Sequence, residues 1–120
     1  MKLLTKEIEK RFERYPLGSQ DGLGAKAIVV AKFFNPCGVG TWIITEGSKL
    51  GDDYEMFGYC HLGSDEYAEL GYVMLSELQS LKGILGLGIE RDLNISENAT
   101  LGEVMRSCGF PIPEWLTEEG

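Results

Sequence analysis

The side chains best suited to nucleophilic or metal chemistry are few, with one histidine and three cysteines in 120 residues. His61 directly follows Cys60, and neighbours on a β-strand point to opposite faces of a sheet, so the two are poorly placed to bind one metal ion. Because Cys37 and Cys108 are scattered, we expect no metal site and no bound cofactor. A nucleophilic Cys–His pair would require Cys37 to approach His61. Cys37 lies in a predicted turn, and a cysteine there is more often a packing residue.

Carboxylates offer a second candidate chemistry. On a strand, Glu90 and Asp92 flank Arg91, share one face, and can bind a cation or act as an acid/base pair. Charges also protect edge strands, and we favour that interpretation. The glycine-rich run 83–88 has the spacing of neither common phosphate-binding loop and follows a predicted helix, so a need for unusual backbone angles explains it better.

Aromatic residues suggest a third site. Phe57, Tyr59 and His61 alternate along one predicted strand, and Trp42 is expected nearby. Such a face can stack a flat, nucleotide-like ligand. Arg91, which lies between Glu90 and Asp92 in the sequence, would then pair with the anionic group of the ligand. A buried core is the interpretation we favour, because aromatic side chains supply much of the burial energy of a small domain.

Charge is distributed unevenly along the chain, whose net charge is −8. Residues 1–34 contain seven basic and four acidic side chains, whereas residues 35–120 contain four and fifteen. This balance argues against direct nucleic-acid binding and would suit a basic protein partner. Acidic surfaces also keep small proteins soluble, and we favour that explanation of the charge by itself. The candidate acidic surface consists of two loop clusters at the ends of a predicted strand: Asp52, Asp53 and Glu55, and Asp65, Glu66 and Glu69.

Hydrophobic periodicity predicts the elements of the first two thirds of the chain. Residues 4–15 have helical spacing, with Thr5 as a candidate cap. Residues 25–34, 41–46, 55–62 and 71–75 read as strands, with 47–53 and 63–69 as loops, which gives an antiparallel meander. The 25–34 stretch is apolar on both faces, as in a covered central strand.

The last third is predicted to contain short elements. Ser76 with Gln79, and Thr100 with Glu103, have the spacing of capping boxes that begin helices. Residues 89–93 are a candidate fifth strand. The whole chain, 1–120, is expected to be one α+β domain in which helices cover one face of a four- to five-stranded antiparallel sheet, followed by a Pro-rich C-terminal arm at 109–120.

Cysteine use and the length of the apolar runs bear on the location of the protein. An odd number of cysteines without a CxxC motif does not resemble a disulfide framework, and no apolar run approaches the ~20 residues of a membrane span. We therefore expect a cytoplasmic protein without a membrane partner.

Several short stretches are distinctive in combination: residues 1–7, 32–36, 38–42, 45–46, 57–59 with Leu62, 71–73, 75–78 and 86–92. Together they resemble the bacterial domain-of-unknown-function 2958 family over about residues 1–93. That resemblance brings no established activity. It implies that the protein is encoded on plasmids, conjugative elements or phage, and hence that it has an accessory role such as countering host defence.

Three functional hypotheses follow. The first is a non-enzymatic binding protein of a mobile element, an anti-CRISPR or anti-restriction candidate, whose acidic surface docks on a nucleic-acid-handling defence enzyme. The second is a binder of a small, nucleotide-like ligand. The third is an enzyme that uses Glu90 with Asp92, or Cys37 with His61.

Overall fold

A computed structural model describes residues 2–81 and 88–116. In chain order, the helices and strands are α1 (Lys6–Arg14), β1 (Ala31–Phe34), β2 (Thr41–Leu50), β3 (Asp53–His61), β4 (Glu69–Met74), α2 (Leu75–Ser80), β5 (Glu90–Arg91) and α3 (Leu101–Ser107). A single 3₁₀ turn, Gly24–Lys26, precedes β1.

The five strands form one antiparallel sheet in the order β4-β3-β2-β1-β5. The predicted meander and the α+β class are therefore confirmed. The candidate strand at 89–93 is present as two residues paired with the end of β1. The glycine-rich run 83–88 lies outside the described residues apart from Gly88, and the 1–120 domain limits stay a prediction.

Helices cover both faces of the sheet, which corrects the expectation that they cover one. Residues 42 to 44 of β2 are all buried although they alternate between faces. On one face, Trp42 and Ile44 pack beneath α1 and α2. On the other, Ile43 packs with α3 and Leu116 of the C-terminal arm. Such a strand has no polar face, so it requires a layer of protein on each side.

The first strand is much shorter than predicted because a side chain replaces part of its ladder. The Gln20 side chain accepts from the Ile28 N–H at 2.6 Å and donates to the carbonyls of Ile28 at 2.8 Å and Thr45 at 2.7 Å. These backbone groups would otherwise pair strand to strand. The register of β2 against β3 also shifts between Ile44 and Glu46. Val29 consequently packs on the α3 side whereas Ala31 packs on the α1 side.

A buried carboxylate fixes the loop that carries Gln20. Glu46 is only 5% exposed, and its two oxygens accept from the backbone N–H groups of Gly18 at 2.7 Å and Gln20 at 2.9 Å. Each oxygen of the buried charge thereby has a hydrogen-bond partner, which offsets the cost of removing it from water. The loop before β1 is thus tied to the centre of β2.

The second strand continues through a segment predicted to be loop. Gly47 and Ser48 pair with β3, and the actual turn lies at residues 51–52. Gly47 is needed for packing: a Cβ there would lie 2.6 Å from Cδ1 of the Phe12 ring. Its N–H also donates to the Tyr15 carbonyl just after α1. Gly47 allows α1 to pack closely on the sheet. A glycine that would usually indicate a loop therefore lies within a strand here.

Two of the three predicted helix caps are confirmed. The Thr5 hydroxyl accepts from the Ile8 N–H, and Thr100 forms a reciprocal capping box with Glu103. The Ser76 cap is wrong, because the N-cap lies two residues earlier, at Met74, and the helix begins at Leu75. Glu77 instead accepts from the Met74 N–H. Within the described residues, none of the helices is long and apolar enough to cross a membrane.

Replacing Glu46 with Gln should destabilise the fold by about 2–3 kcal/mol. An amide offers only one acceptor oxygen to the two N–H donors, and its NH₂ group would oppose one of them. Urea unfolding measures the difference. Glu13→Gln, on the exposed side of α1, is the matched control and should change stability by less than about 0.5 kcal/mol. Equal effects from the two variants would contradict the role assigned to Glu46.

Replacing Gly47 with Ala should cost about 1–3 kcal/mol, because the added methyl must displace the Phe12 ring or the strand. Gly71 of β4 provides a control, since a Cβ there meets nothing within 4 Å. Gly71→Ala should be neutral or slightly stabilising in the same thermal or urea unfolding assay. A Gly47→Ala protein as stable as the Gly71→Ala protein would contradict the close packing of α1 against Gly47.

Candidate functional site

Two connections meet at one end of the sheet. They are the β1–β2 turn at 35–40 and the β3–β4 connection at 62–68. The two are in contact, because a Cβ on Gly63 would lie 3.2 Å from Cγ1 of Val39. Thr41 and His61, the adjoining strand residues, are direct partners in the β2–β3 register. This end of the sheet is therefore one continuous surface.

His61 fixes the shape of the longer connection. Its Nδ1 accepts from the Gly63 N–H at 3.2 Å, so the ring proton is assigned to Nε2, which lies 2.7 Å from Oδ1 of Asp65. The ring stacks on Phe110 with centroids 4.0 Å apart and planes 6° apart. One 8% exposed side chain thus links the strand end, the loop and the C-terminal arm.

Around this fixed loop, large side chains face solvent. Tyr67 is 78% exposed, although the next residue, Ala68, is buried in the core. Val39 and Leu62 are 68% and 64% exposed. We call this surface the acidic tip, and its members are the exposed residues Val39, Leu62, Asp65, Glu66, Tyr67 and Glu69.

The acidic tip combines an aromatic anchor, apolar area and negative charge on a backbone held at both ends. Tyrosine is enriched among the residues that dominate binding energy at protein interfaces. Rigid presentation lowers the entropic cost of association. The arrangement is suited to recognising a macromolecular surface.

The other predicted acidic cluster is a separate feature. Asp52, Asp53 and Glu55 lie at the opposite end of β3, about 26 Å away at roughly 3.3 Å per residue. Asp53 accepts from both the backbone N–H and the hydroxyl of Ser76. These bonds, the hydroxyl bond first, lower the pKa of Asp53 below its usual range. Asp53 is therefore a support for α2, and the six carboxylates do not form one continuous surface.

The proposed aromatic groove is not assembled. Trp42 packs in the core beneath α1 and α2, whereas Tyr59 and His61 lie on the opposite face of the sheet. Tyr59 is 1% exposed and Trp42 is 8% exposed. Arg91, which pairs opposite Phe33, lies on the Trp42 face. The expectation of a core is confirmed for Trp42, Tyr59 and His61, whereas Phe57 is half-buried. Trp42 and Arg91 lie on the face opposite Tyr59 and His61, so their grouping in one groove is wrong.

The two catalytic pairs are not supported by their contacts. Asp92 lies 3.3 Å from Nζ of Lys32 and also accepts from the Asn94 N–H at 2.8 Å. Both ring nitrogens of His61 are bonded within its own loop. Cys37 is exposed in its turn, where its N–H donates to Oδ1 of Asn35.

The thiols are all free, and their surroundings differ. Burial, with the charge of Glu69 as a smaller cause, raises the pKa of Cys60 to about 11. Burial lowers the pKa of Lys32, but the neighbouring Cys108 and Asp92 raise it above its usual value. Among the residues that the structure describes, no three His, Cys, Asp or Glu side chains are grouped so that they could hold a metal ion.

A family model described as "Protein of unknown function (DUF2958)" matches residues 3–108. The chain belongs to this family. The match extends beyond residue 93 and includes α3, so the narrower limit inferred from sequence motifs is wrong at its C-terminal end. No match was found among curated proteins or among solved structures.

Sequence reasoning identified the carboxylates of the acidic tip and missed its apolar part. Tyr67 lies between Glu66 and Ala68 in a segment whose Gly, Ser and Asp residues predict a loop. A large aromatic residue in a polar loop was the available signal. Its exposure depends on Ala68 reaching the core, which only the folded chain reveals.

Replacing His61 with Phe should loosen the acidic tip without unfolding the sheet. Phenylalanine retains a ring against Phe110 and removes both nitrogen contacts. Native-state hydrogen exchange at the Gly63 amide should accelerate about tenfold, the worth of one hydrogen bond, while exchange at Tyr59 stays unchanged.

Asp65→Asn is the control for this measurement, because its oxygen still accepts from Nε2 and a smaller change is expected. Unaltered exchange at Gly63 in His61→Phe would contradict the role of His61 in shaping the loop.

Proposed function

We propose that this member of the family is a non-enzymatic binding protein that docks on a basic protein through its acidic tip. The observation that carries the proposal is Tyr67, a 78% exposed aromatic side chain on a loop braced by His61. An exposed tyrosine of this kind loses apolar contact with water when a partner covers it. The bracing means that little ordering is required on binding.

Charge supports a basic partner. Asp65, Glu66 and Glu69 surround Tyr67, and residues 35–120 contain fifteen acidic against four basic side chains. Complementary charge accelerates encounter and disfavours partners of the same sign. Phosphates of a nucleic acid would be repelled, so the proposed partner is a protein whose own surface is basic, as nucleic-acid-handling proteins commonly are.

The wider context of the proposal is the mobile-element association implied by the family resemblance. A small acidic protein carried by a plasmid or phage can occupy the basic surface with which a host defence enzyme grips nucleic acid. Anti-restriction or anti-CRISPR activity is the corresponding proposal. We place the protein in the cytoplasm, since three free thiols suit a reducing compartment.

Catalysis is not part of this proposal. Asp92 already neutralises Lys32, and His61 is committed to Asp65 and Gly63. An acid, base or nucleophile has to reach its substrate within hydrogen-bonding distance, and these groups reach their own neighbours instead.

Tyr67→Ala should weaken partner binding by roughly 30-fold or more, as expected for an aromatic interface hot spot. The partner is first captured from a bacterial host lysate on immobilised protein, identified by mass spectrometry and purified. Dissociation constants are then measured by biolayer interferometry at low and high salt. Tyr72→Ala is the matched control, because Tyr72 is 67% exposed on β4 and lies outside the acidic tip.

Charge is tested separately with Glu66→Gln and Glu69→Gln, which should mainly reduce the association rate and the salt dependence of binding. Asp52→Asn, at the far end of β3, should have little effect. Binding that is indifferent to both salt and Tyr67 would refute docking through the acidic tip.

A further inference from the structure

A cavity of about 370 Å³ lies between α1, β1 and the segment that follows β5. It arises where the sheet divides. The Asp92 N–H donates to the Lys32 carbonyl, after which the chain leaves β1 and returns at Ala99, whose carbonyl accepts from the Val29 N–H. The segment 93–98 thus stands away from β1. Helix α1 forms the remaining wall, and no acidic-tip residue lines the cavity.

Arg11 links the walls of this cavity. One terminal nitrogen of its guanidinium donates to the carbonyls of Val29 at 2.9 Å and Glu97 at 3.0 Å. The group is therefore held in a fixed orientation between α1, β1 and the 93–98 segment. A guanidinium has five N–H donors, so the other nitrogens retain donors for a further acceptor. The side chain is half-buried, which reduces screening of its charge by water.

The rest of the lining has a consistent chemistry. Ile8, Val30 and Ile95 provide apolar surface, and the Ser96 hydroxyl provides a neutral polar group. Arg91 adds a second guanidinium from β5.

Among the described residues, the acidic members of the lining form no ion pair with Arg11. Asp92 is paired with Lys32, and Glu7 and Glu97 are exposed. Charge on exposed carboxylates is strongly screened by solvent. An anionic group is therefore favoured against the Arg11 guanidinium and disfavoured at the outer rim of the cavity. The volume lies within the range of cavities that hold small organic ligands.

We propose that this cavity binds a small organic molecule that carries one oxyanion, phosphoryl or carboxylate, on a body with both polar and apolar surface. Planar guanidinium groups suit both anions, because each presents paired oxygen acceptors. The apolar surface between α1 and β1 would contact the uncharged part of the ligand. This ligand site is separate from the acidic tip and does not depend on the proposed docking function.

Titration with adenosine 5′-monophosphate, benzoate and uncharged adenosine tests the proposal. Backbone amide shifts of the full chain are followed by NMR up to about 10 mM of each probe, which covers the weak end of ligand affinity. We expect one of the two anions to bind with shifts at residues 5, 30 and 96, and adenosine to bind at least tenfold more weakly. The phosphate and carboxylate arms identify which anion is preferred.

Ser96→Trp should fill the cavity mouth and abolish binding of the preferred probe. Asn98→Trp is its control, since Asn98 is exposed on the same segment and does not line the cavity. Arg11→Met should weaken binding roughly 10- to 100-fold, the worth of a hydrogen bond to a charged group, whereas Arg14→Met on the same helix should not. Should Arg11→Met fail to fold, the Ser96 and Asn98 pair still decides the outcome.

The proposal is overturned if neither anion shifts the cavity amides, if adenosine binds as well as its phosphate, or if Ser96→Trp binds like Asn98→Trp. Tyr67→Ala should leave probe binding unchanged. A negative titration therefore removes the cavity site and leaves partner docking standing, and loss of partner docking leaves the cavity site standing.

Discussion

The buried carboxylate of Glu46 is the constraint from which much of this architecture follows. Its oxygens accept from two backbone N–H groups of the loop before β1, and that loop then inserts the Gln20 amide beside β2. Ile28 is satisfied by a side chain instead of a neighbouring strand. The first strand begins late as a result, and residues 29 to 31 border the cavity where the sheet divides.

Burial on both faces of the sheet leaves its ends as the places where function can reside. The faces are occupied by α1 and α2 on one side and α3 on the other. Exposed side chains are therefore concentrated in the connections between strands. The acidic tip belongs to such a connection, and the cavity lies at the edge where β5 separates from β1. Each is held by a contact made over a long sequence distance: the stacking of the His61 ring on Phe110 at the tip, and the hydrogen bond from Arg11 to the Glu97 carbonyl at the cavity.

The comparison of sequence with structure separates local signals from long-range ones. The threonine caps, the four-strand meander and the alternation of β3 are encoded by neighbours in sequence, and they were predictable. The length of β1 was not, because it depends on Gln20, which meets Ile28 and Thr45 only after folding. Gly47 was mistaken for a loop residue because its partner, Phe12, is 35 positions earlier in the sequence.

The same distinction applies to the candidate sites. Composition indicated an acidic, partner-binding surface, and motif spacing led to the family. Carboxylate positions could be read from the sequence, but their division between the two ends of β3 required the strand to be placed. The cavity had no sequence signal at all, since Arg11, Val29 and Glu97 come together from three distant segments.

The exposed thiol of Cys37 gives this molecule a built-in attachment point beside its acidic tip. The turn that carries Cys37 also carries Val39, whereas Cys60 stays protonated at neutral pH because of its raised pKa and Cys108 is half-buried. A maleimide fluorophore should therefore react first at this turn, without any engineered residue. Its emission would then report when another macromolecule covers the neighbouring loop.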